Sequence, residues 1–596
     1  MTDFRSARRG ITLFATILFS AGLARAQWPG DPAVNLAIAD RAGEQAIPLV
    51  GSRSDGGTYV AWFDNASGSY RVYLQRLNAA GVEQWPHNGV LVSDHAQDTA
   101  LYGWDMIVDS ADNAVIVFSD TRDGGDLDTF AYRVDSAGQM LWGADGVSLS
   151  IDPDFDPAPR VAEASNGDFV FVWLRDPSTG DADIRMQRLT AGGTPLLQAG
   201  GLPVVVSAGE DPGFVQIVAA ENGNVILSWL RNIRSFSSPR YIRARKYSPT
   251  GSPVWAANVE VFNAFPVPIG YFPIMLADGV GGAVFGWHRS DGSLYGSFVQ
   301  HVDSSGAELF PHNGVAVSTT SGVYHIGPAL AYDKGTGETF MFWDEENTFQ
   351  SQWGIYGQKF SPTGARSWGD GGAVLMPVNG AYKSIPRTVP YAGGAMVFLL
   401  DQPGGFGTDR LLGMRVDGQG TQVWPGGQVL IASTPSSKGR YPVTIAPSGV
   451  ATLVWEDNRG GTMDVYGQNV APSGVLGPAA VPGSVRTSLR VAKSSITAGD
   501  LTMSWDASCS PDAANYAIYE GRLGDFTSHV KKDCSDDGGN RVEEIPPSPE
   551  DAYYLLVALA GANEGSYGTS SSGAERPAPA AANRCLGSQI LTACSP

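Results

Sequence analysis

A short apolar run recurs eight times along the 596 residues, ending on Trp62, Phe118, Trp173, Trp229, Trp287, Trp343, Leu399 and Trp455. The steps between these residues are 56, 55, 56, 58, 56, 56 and 56. So regular a period marks one supersecondary unit stacked on copies of itself, because such a unit cannot bury its apolar face alone. The chain is also too long for one ordinary core, so a repeat domain with at least one appendage is expected.

Each copy reads as four strands. The first follows a proline or polar loop, as in Pro48-Leu49-Val50 and Pro328-Ala329-Leu330-Ala331, a place where a missing amide costs no ladder bond. A glycine turn comes next (Gly56-Gly57, Asn166-Gly167, Gly281-Gly282). The second strand is apolar on both faces, as in Phe169 to Trp173, which requires cover on both sides. The third alternates (Gln75-Arg76-Leu77, Gln187-Arg188-Leu189) and is predicted nearer the rim.

A second hairpin carries a glycine with a bulky residue four later: Gly81/Trp85, Gly138/Trp142, Gly251/Trp255, Gly306/Phe310, Gly364/Trp368 and Gly420/Trp424, weakening to Gly192/Leu196 in the third copy. The fourth strand follows it. Four strands in about 56 residues is the content of a β-propeller blade.

The eighth copy ends near Gly474 without its Trp or fourth strand. The missing piece lies at the other terminus, where Trp28-Pro29-Gly30 and Ala33-Val34-Asn35-Leu36 match Trp424-Pro425-Gly426 and the strand after it. The expected fold is therefore all-β: an eight-bladed β-propeller over 27–482, closed by an N-terminal strand that covers an open edge of the last blade.

Residues 1–26 read as a signal peptide, with Arg5, Arg8 and Arg9, an apolar stretch from Ile11 to Leu23, and Ala24-Arg25-Ala26 as cleavage site. The expected location is outside the cell or at its surface, with no membrane insertion. A net charge of −20 argues against nucleic acid as a partner. All four cysteines, Cys509, Cys534, Cys585 and Cys594, fall near the C-terminus, where an exported chain favours disulfides. Three pairings are possible, and proximity in sequence favours Cys509–Cys534 and Cys585–Cys594.

The repeat pattern resembles that of secreted bacterial β-propeller repeat proteins. The stretch Arg133-Val134-Asp135-Ser136-Ala137-Gly138-Gln139-Met140-Leu141-Trp142 also resembles the tryptophan-docking motif of eight-bladed quinoprotein propellers. That likeness implies a Trp packed between adjacent blades. The dehydrogenases of that group use a vicinal cysteine disulfide over their cofactor, and the repeats hold no cysteine, so no redox cofactor is expected.

Beyond a linker at Pro478 to Pro482, strands are predicted at Leu501 to Trp505, Tyr516 to Tyr519, Arg541 to Ile545 and Tyr553 to Leu559. Tyr553 to Leu559 followed by Asn563-Glu564-Gly565-Ser566-Tyr567-Gly568 resembles the penultimate strand and turn of a fibronectin type III domain, which implies a small β-sandwich spacer at 483–577. Residues 578–596 form an Ala/Pro-rich tail with a disulfide loop.

No catalytic motif stands out. His87 and His312 sit in identical Pro-His-Asn-Gly-Val turns and read as turn chemistry. Two positions after each landmark stand Asp64, Asp120, Arg175, Arg231, Arg289, Glu345, Asp401 and Asp457, whose carboxylates are suited to bonding hairpin amides. Calcium is the one ion considered, at Asp152/Asp154/Asp156 or Asp120/Asp123/Asp126/Asp128. Aromatic loops (Tyr102, Trp104, Phe155, Phe214, Tyr271, Tyr324, Tyr382, Tyr441) beside Arg122, Arg175 and Arg231 suggest a binding face. Its candidate residues are Tyr102, Arg122, Arg175, Tyr271, Tyr324 and Tyr382. The first expectation is thus a monomeric, exported, non-enzymatic binding or scaffold protein for a carbohydrate or protein partner. The alternative is an extracellular propeller enzyme, a polysaccharide hydrolase or lyase, which needs two carboxylates converging in the central pocket.

Overall fold

The computed structural model describes residues 28–589 except 98–102, 123–125, 151, 178–179, 207–208, 234–238, 269–271, 293, 406, 478–484, 486–487, 509–512, 514, 537–540, 561–562, 571–574 and 587. The signal segment, the linker at Pro478 to Pro482, Tyr102, Asp123, Tyr271, Cys509 and Cys594 lie outside the described residues. Among the described residues the chain is all-β, with only two single-turn 3-10 pieces, Glu221–Gly223 and Ala581–Asn583.

Four-stranded antiparallel sheets succeed one another at 45–97, 105–148, 160–206, 210–262, 274–316, 323–379 and 382–436, called here the first to seventh sheets. An eighth combines Lys438–Gly439, Val443–Ile445, Ala451–Asp457 and Asp464–Val470 with Leu36–Ala39 from the far end of the chain. Leu36 sits opposite Gly467, and Ala39 opposite Val465. The leading strands of consecutive sheets touch, and Val443–Ile445 touches Gln45–Ser52 of the first sheet. This architecture is consistent with a β-propeller.

The doubly apolar second strands are buried along their whole length at Thr58–Asp64, Ala114–Asp120 and Ala451–Asp457. One face of Thr58–Asp64 (Val60, Trp62) packs on Ile38 and Val454 of the eighth sheet. The other (Tyr59, Ala61, Phe63) packs on Met106 and Ile116 of the second. Each sheet is thus the solvent-excluding wall of its neighbours, and truncating one landmark Trp should cost about 3–5 kcal/mol.

The bulky residue of the second hairpin links one sheet to the next. The indole Nε1 atoms of Trp142, Trp255, Trp368 and Trp424 donate to the carbonyls of Ala191, Ser304, Gly418 and Pro472 at 3.1, 3.0, 3.1 and 2.7 Å. Their rings cover Gly193, Gly306, Gly420 and Gly474. Trp28 covers Gly81 of the first sheet in the same way, and its amide donates to Ala80 O at 3.1 Å. In the third sheet the register is one residue later than the sequence suggests: Gly193 has the positive φ (+82°) and meets Trp142, while Leu197 is half-buried and Leu196 exposed.

The third strand also differs from its prediction. Gln75, Gln187, Gln300 and Gln358 are buried, not rim residues. Their Nε2 atoms donate to the carbonyls of Pro86, Gln198, Pro311 and Gly369 at 3.0, 2.9, 3.0 and 2.7 Å. The Oε1 atoms of the last three accept from the amides of Leu197, Phe310 and Trp368. The glutamine pins the outer hairpin shut, supplying both partners that buried backbone requires.

At the C-terminal end, Arg490–Lys493, Leu501–Ser504 and Val542–Ile545 form one sheet. A second contains Val530–Asp533, Asn515–Arg522, Ala552–Ala560, Asn563–Glu564 and Ser588–Gln589. Met503, Trp505, Tyr516, Ile518 and Ala558 fill the space between them. Among the described residues a disulfide joins Cys534 to Cys585, which corrects both pairings favoured by sequence proximity. The parallel pairing of Asn563–Glu564 with Ser588–Gln589 carries the tail back across this sheet, placing Cys585 against the strand that ends at Asp533.

Candidate active site

A cavity of about 720 Å³ opens where the leading strands of the fourth to eighth sheets converge. Its walls include Phe214, Phe272, Ile274, Ile326, Gly327, Pro386 and Val443, and its polar groups are His288, Asp344, Glu346, Tyr382, Ser384 and Arg387. A concave, largely apolar pocket with a few convergent polar groups is the usual form of a small-molecule or substrate site.

Local backbone irregularities build it. Three leading strands lose register with their partners at the cavity, between Gly213 and Gln216, Ile326 and Ala329, and Ser384 and Arg387. Such bulges bend a strand and re-aim its side chains. Gly327, at φ +59°, approaches so closely that an added Cβ would lie 3.0 Å from Asp344 Oδ2. Its amide donates to His288 Nδ1 at 3.2 Å, which leaves the imidazole proton on Nε2.

Asp344 and Glu346 belong to the second strand of the sixth sheet, Glu338–Asn347. Two residues apart on a strand, they share a face, with Cα atoms about 7 Å apart. Both are nearly buried yet line the cavity. Burial raises the Glu346 carboxyl above its ordinary range, with the Gln350 side chain opposing it. Burial holds His288 down at about 4, so its ring is neutral near neutral pH. Tyr382 stands edge-on to Trp353 at 5.1 Å, and burial raises its phenol. Arg387 lies 5.5 Å over the Tyr441 ring.

Glu345, between the two cavity carboxylates, faces the other way. It accepts from Trp343 Nε1 at 2.9 Å and lies 3.3 Å from His325 Nε2. Burial pushes Glu345 up to about 7 and His325 down to about 4, so both sit in their neutral forms under mildly acidic conditions. The corresponding carboxylates elsewhere serve the hairpins: Asp64, Asp120 and Asp457 accept from the amides of Ala66, Arg122 and Arg459 at 3.0, 3.1 and 3.0 Å.

Of the described binding candidates, the structure brings only Tyr382 to the cavity. Arg122, largely covered, pairs with Asp120 at 2.6 Å and stacks on Phe130 at 3.7 Å. Arg175 sits inside the acidic loop, bridging Asp152, Asp154 and Asp183. Its guanidinium takes the central place a cation would need there, and no group of three or more His, Cys, Asp or Glu is placed to hold a metal among the described residues. Tyr324 packs edge-on against Tyr295 at 5.4 Å and does not line the cavity. His87 and His312 hold equivalent places in their turns, on Glu83 at 2.8 Å and Glu308 at 2.9 Å. The cavity residues His288, Asp344 and Glu346 escaped the sequence reading. His288 and Asp344 each follow a landmark Trp in consecutive copies, where Phe63, Leu174, Leu230 and Leu400 stand in four others, but Ser119 and Glu456 occupy the same step outside the cavity, so polarity there does not mark the site.

No protein-family model matches the chain, and no curated protein matches it. Among solved structures it is similar to an ulvan lyase of polysaccharide lyase family PL25 at 12% identity and a TM-score of 0.41, over 76% of this chain and 97% of the other. A second polysaccharide lyase matches at 10% identity and a TM-score of 0.37, over 76% and 94%. The α-L-arabinanase of Penicillium chrysogenum, complexed with arabinobiose, matches at 15% identity and 0.30, over 53% and 94%. The expectation of a non-enzymatic binding or scaffold protein is corrected at this point. The carboxylate pair that the enzymatic alternative requires is present in one cavity, as Asp344 and Glu346.

Proposed function

We propose that the chain is an extracellular propeller enzyme that cleaves polysaccharide, with its active site in the cavity bounded by the leading strands. The observation that carries this reading is the placement of Asp344 and Glu346 on one face of one strand, opening into a single pocket. Two carboxyl groups opening into one pocket are what glycosidic hydrolysis requires, one as acid and one as base. Glu346, whose carboxyl burial keeps protonated to higher pH, is the general acid. Asp344, beside the Gly327 backbone, is the base. His288, Tyr382 and Arg387 orient the sugar.

A lyase reading draws on a different observation, the presence of Arg387 and Tyr382 in the same cavity. A guanidinium can neutralise a uronate carboxylate while a phenol exchanges a proton with the sugar. Incubation of the purified chain with a panel of neutral and uronate-containing polysaccharides separates the two. Hydrolysis releases reducing ends alone, whereas elimination also leaves an unsaturated product that absorbs in the ultraviolet. Absence of new chain ends with every polymer overturns the enzymatic reading.

In the same proposal the eight sheets are the blades of one ring over 27–482, closed by Leu36–Ala39, and the signal segment 1–26 directs export. The disulfide fits an oxidising compartment. The two C-terminal sheets, over 483–577, are a fibronectin type III-like spacer. The enzyme acts as a monomer on an extracellular carbohydrate.

A further inference from the structure

We propose that Phe272, backed by Phe214, is an aromatic platform for a sugar ring at the mouth of the cavity, forming a subsite next to the cleavage position. The proposal rests on the polysaccharide reading and extends it to the substrate's length. Phe214 lies in the fourth sheet and Phe272 just ahead of the fifth, yet their rings lie 3.8 Å apart and within 5° of parallel. Aromatic pairs left to themselves favour offset or edge-on contacts, so this face-to-face stack is held from outside.

Two features hold it. Gln216 of the fourth sheet reaches across to the fifth, its Nε2 donating to Pro273 O and its Oε1 accepting the Met275 amide at 2.9 Å. This fixes the residue next to Phe272. Phe214 adopts a positive φ (+51°) inside the bulge between Gly213 and Gln216, as Ile47, Ala158 and Arg440 do at the corresponding positions of the first, third and eighth sheets, so the repeated backbone itself fixes where the ring points. One ring face of Phe214 is covered by Phe272, and Phe272 is 54% exposed. Both rings line the same cavity as Asp344 and Glu346. The occupant is therefore a neighbouring ring of the same glycan, whose axial C–H groups match a flat, rigid apolar surface. The enzyme accordingly acts on a chain of at least two sugars, not on a terminal monosaccharide alone.

The test uses the full chain carrying Glu346→Gln, which binds without turnover, and affinity electrophoresis in gels containing each polymer of a panel (arabinan, a mixed-linkage glucan, polygalacturonate and ulvan). With the polymer that retards this protein most, adding Phe272→Ala weakens binding about five- to tenfold, Phe272→Trp restores it, and Gln216→Ala gives an intermediate loss. In the otherwise native enzyme, Phe272→Ala raises KM by the same factor and leaves kcat within twofold. Unchanged retardation and KM in Phe272→Ala overturn the platform, as does the absence of retardation by all four polymers. Binding that depends on Phe272, in a protein that cleaves nothing, supports the platform and overturns the enzymatic reading instead.

Discussion

The indole of Trp28 lies on Gly81, so that a Cβ at residue 81 would come within 2.7 Å of the Trp28 backbone nitrogen. The contact copies the one between Trp424 and Gly474, and it joins the start of the chain to the first sheet. Gly81→Ala forces this contact apart and also strains a backbone at φ +79°. The expected loss is about 3 kcal/mol in guanidinium unfolding, between the cost of strain alone and that of removing a buried indole. Gly68→Ala, at φ +100° with open space around it, is the control and costs only about 1 kcal/mol. Equal losses at the two sites would mean that the Trp28 contact adds nothing to stability.

Asp344→Asn and Glu346→Gln are each expected to lower kcat on the cleaved polymer by about 10²–10⁴-fold, the range for loss of a positioned acid or base. Folding should persist, because each change keeps shape and hydrogen-bonding capacity. Circular dichroism and unfolding midpoints check that point. Glu346→Gln should also remove the limb of the pH–rate profile on which activity falls as pH rises, since burial places the acid's protonation there.

His288 supplies a stability term with a defined sign. Its ring is held at about 4 by burial, against 6.5 in the unfolded chain. The unfolded state therefore binds more protons between these values, and the stabilisation present above pH 6.5 is lost as pH falls toward 4. The loss is on the order of 3 kcal/mol. His288→Gln should flatten the unfolding curve across that window, and an unaltered pH dependence would mean that the imidazole is charged in the fold.

Glu345 works in the opposite sense. Burial lifts its carboxyl from 4.5 to about 7, with the Trp343 indole opposing the shift. The folded state holds the extra proton, so this contribution is complete below pH 4.5 and disappears as pH rises through 7. Glu345→Gln mimics the protonated side chain. It is expected to match the native protein at pH 5 and to exceed it by on the order of 3 kcal/mol at pH 8. Parallel stability curves for the two proteins would show that the native carboxyl carries no raised proton affinity.

The elements that the sequence disclosed are those the repeat enforces. Trp62, Trp173 and Trp343 are buried in every case because a central strand meets a neighbour on each face, and only apolar residues tolerate that position. The pairing of Leu36 with Gly467 was legible for a related reason, since a lone Trp-Pro-Gly at the start completes the unit missing at the end. The cavity was less legible. Asp344, Glu345 and Glu346 look alike in a row, and only the alternation of the strand sends the outer two into the pocket and the middle one to Trp343. Arg122 and Arg175 look like available cations in sequence but are occupied by Asp120 and by Asp152, Asp154 and Asp183. The Cys534–Cys585 bond joins residues that only the folded tail brings together, so nearness along the chain misled.

The strand Leu36–Ala39 has an ordering consequence during synthesis. It emerges early, yet its partner around Gly467 is made only after every intervening sheet. The growing chain must carry an unmatched edge until almost all of the sheets exist. Completion of the eighth sheet is consequently a late event, and a product truncated before Asp464–Val470 leaves that strand with nowhere to dock.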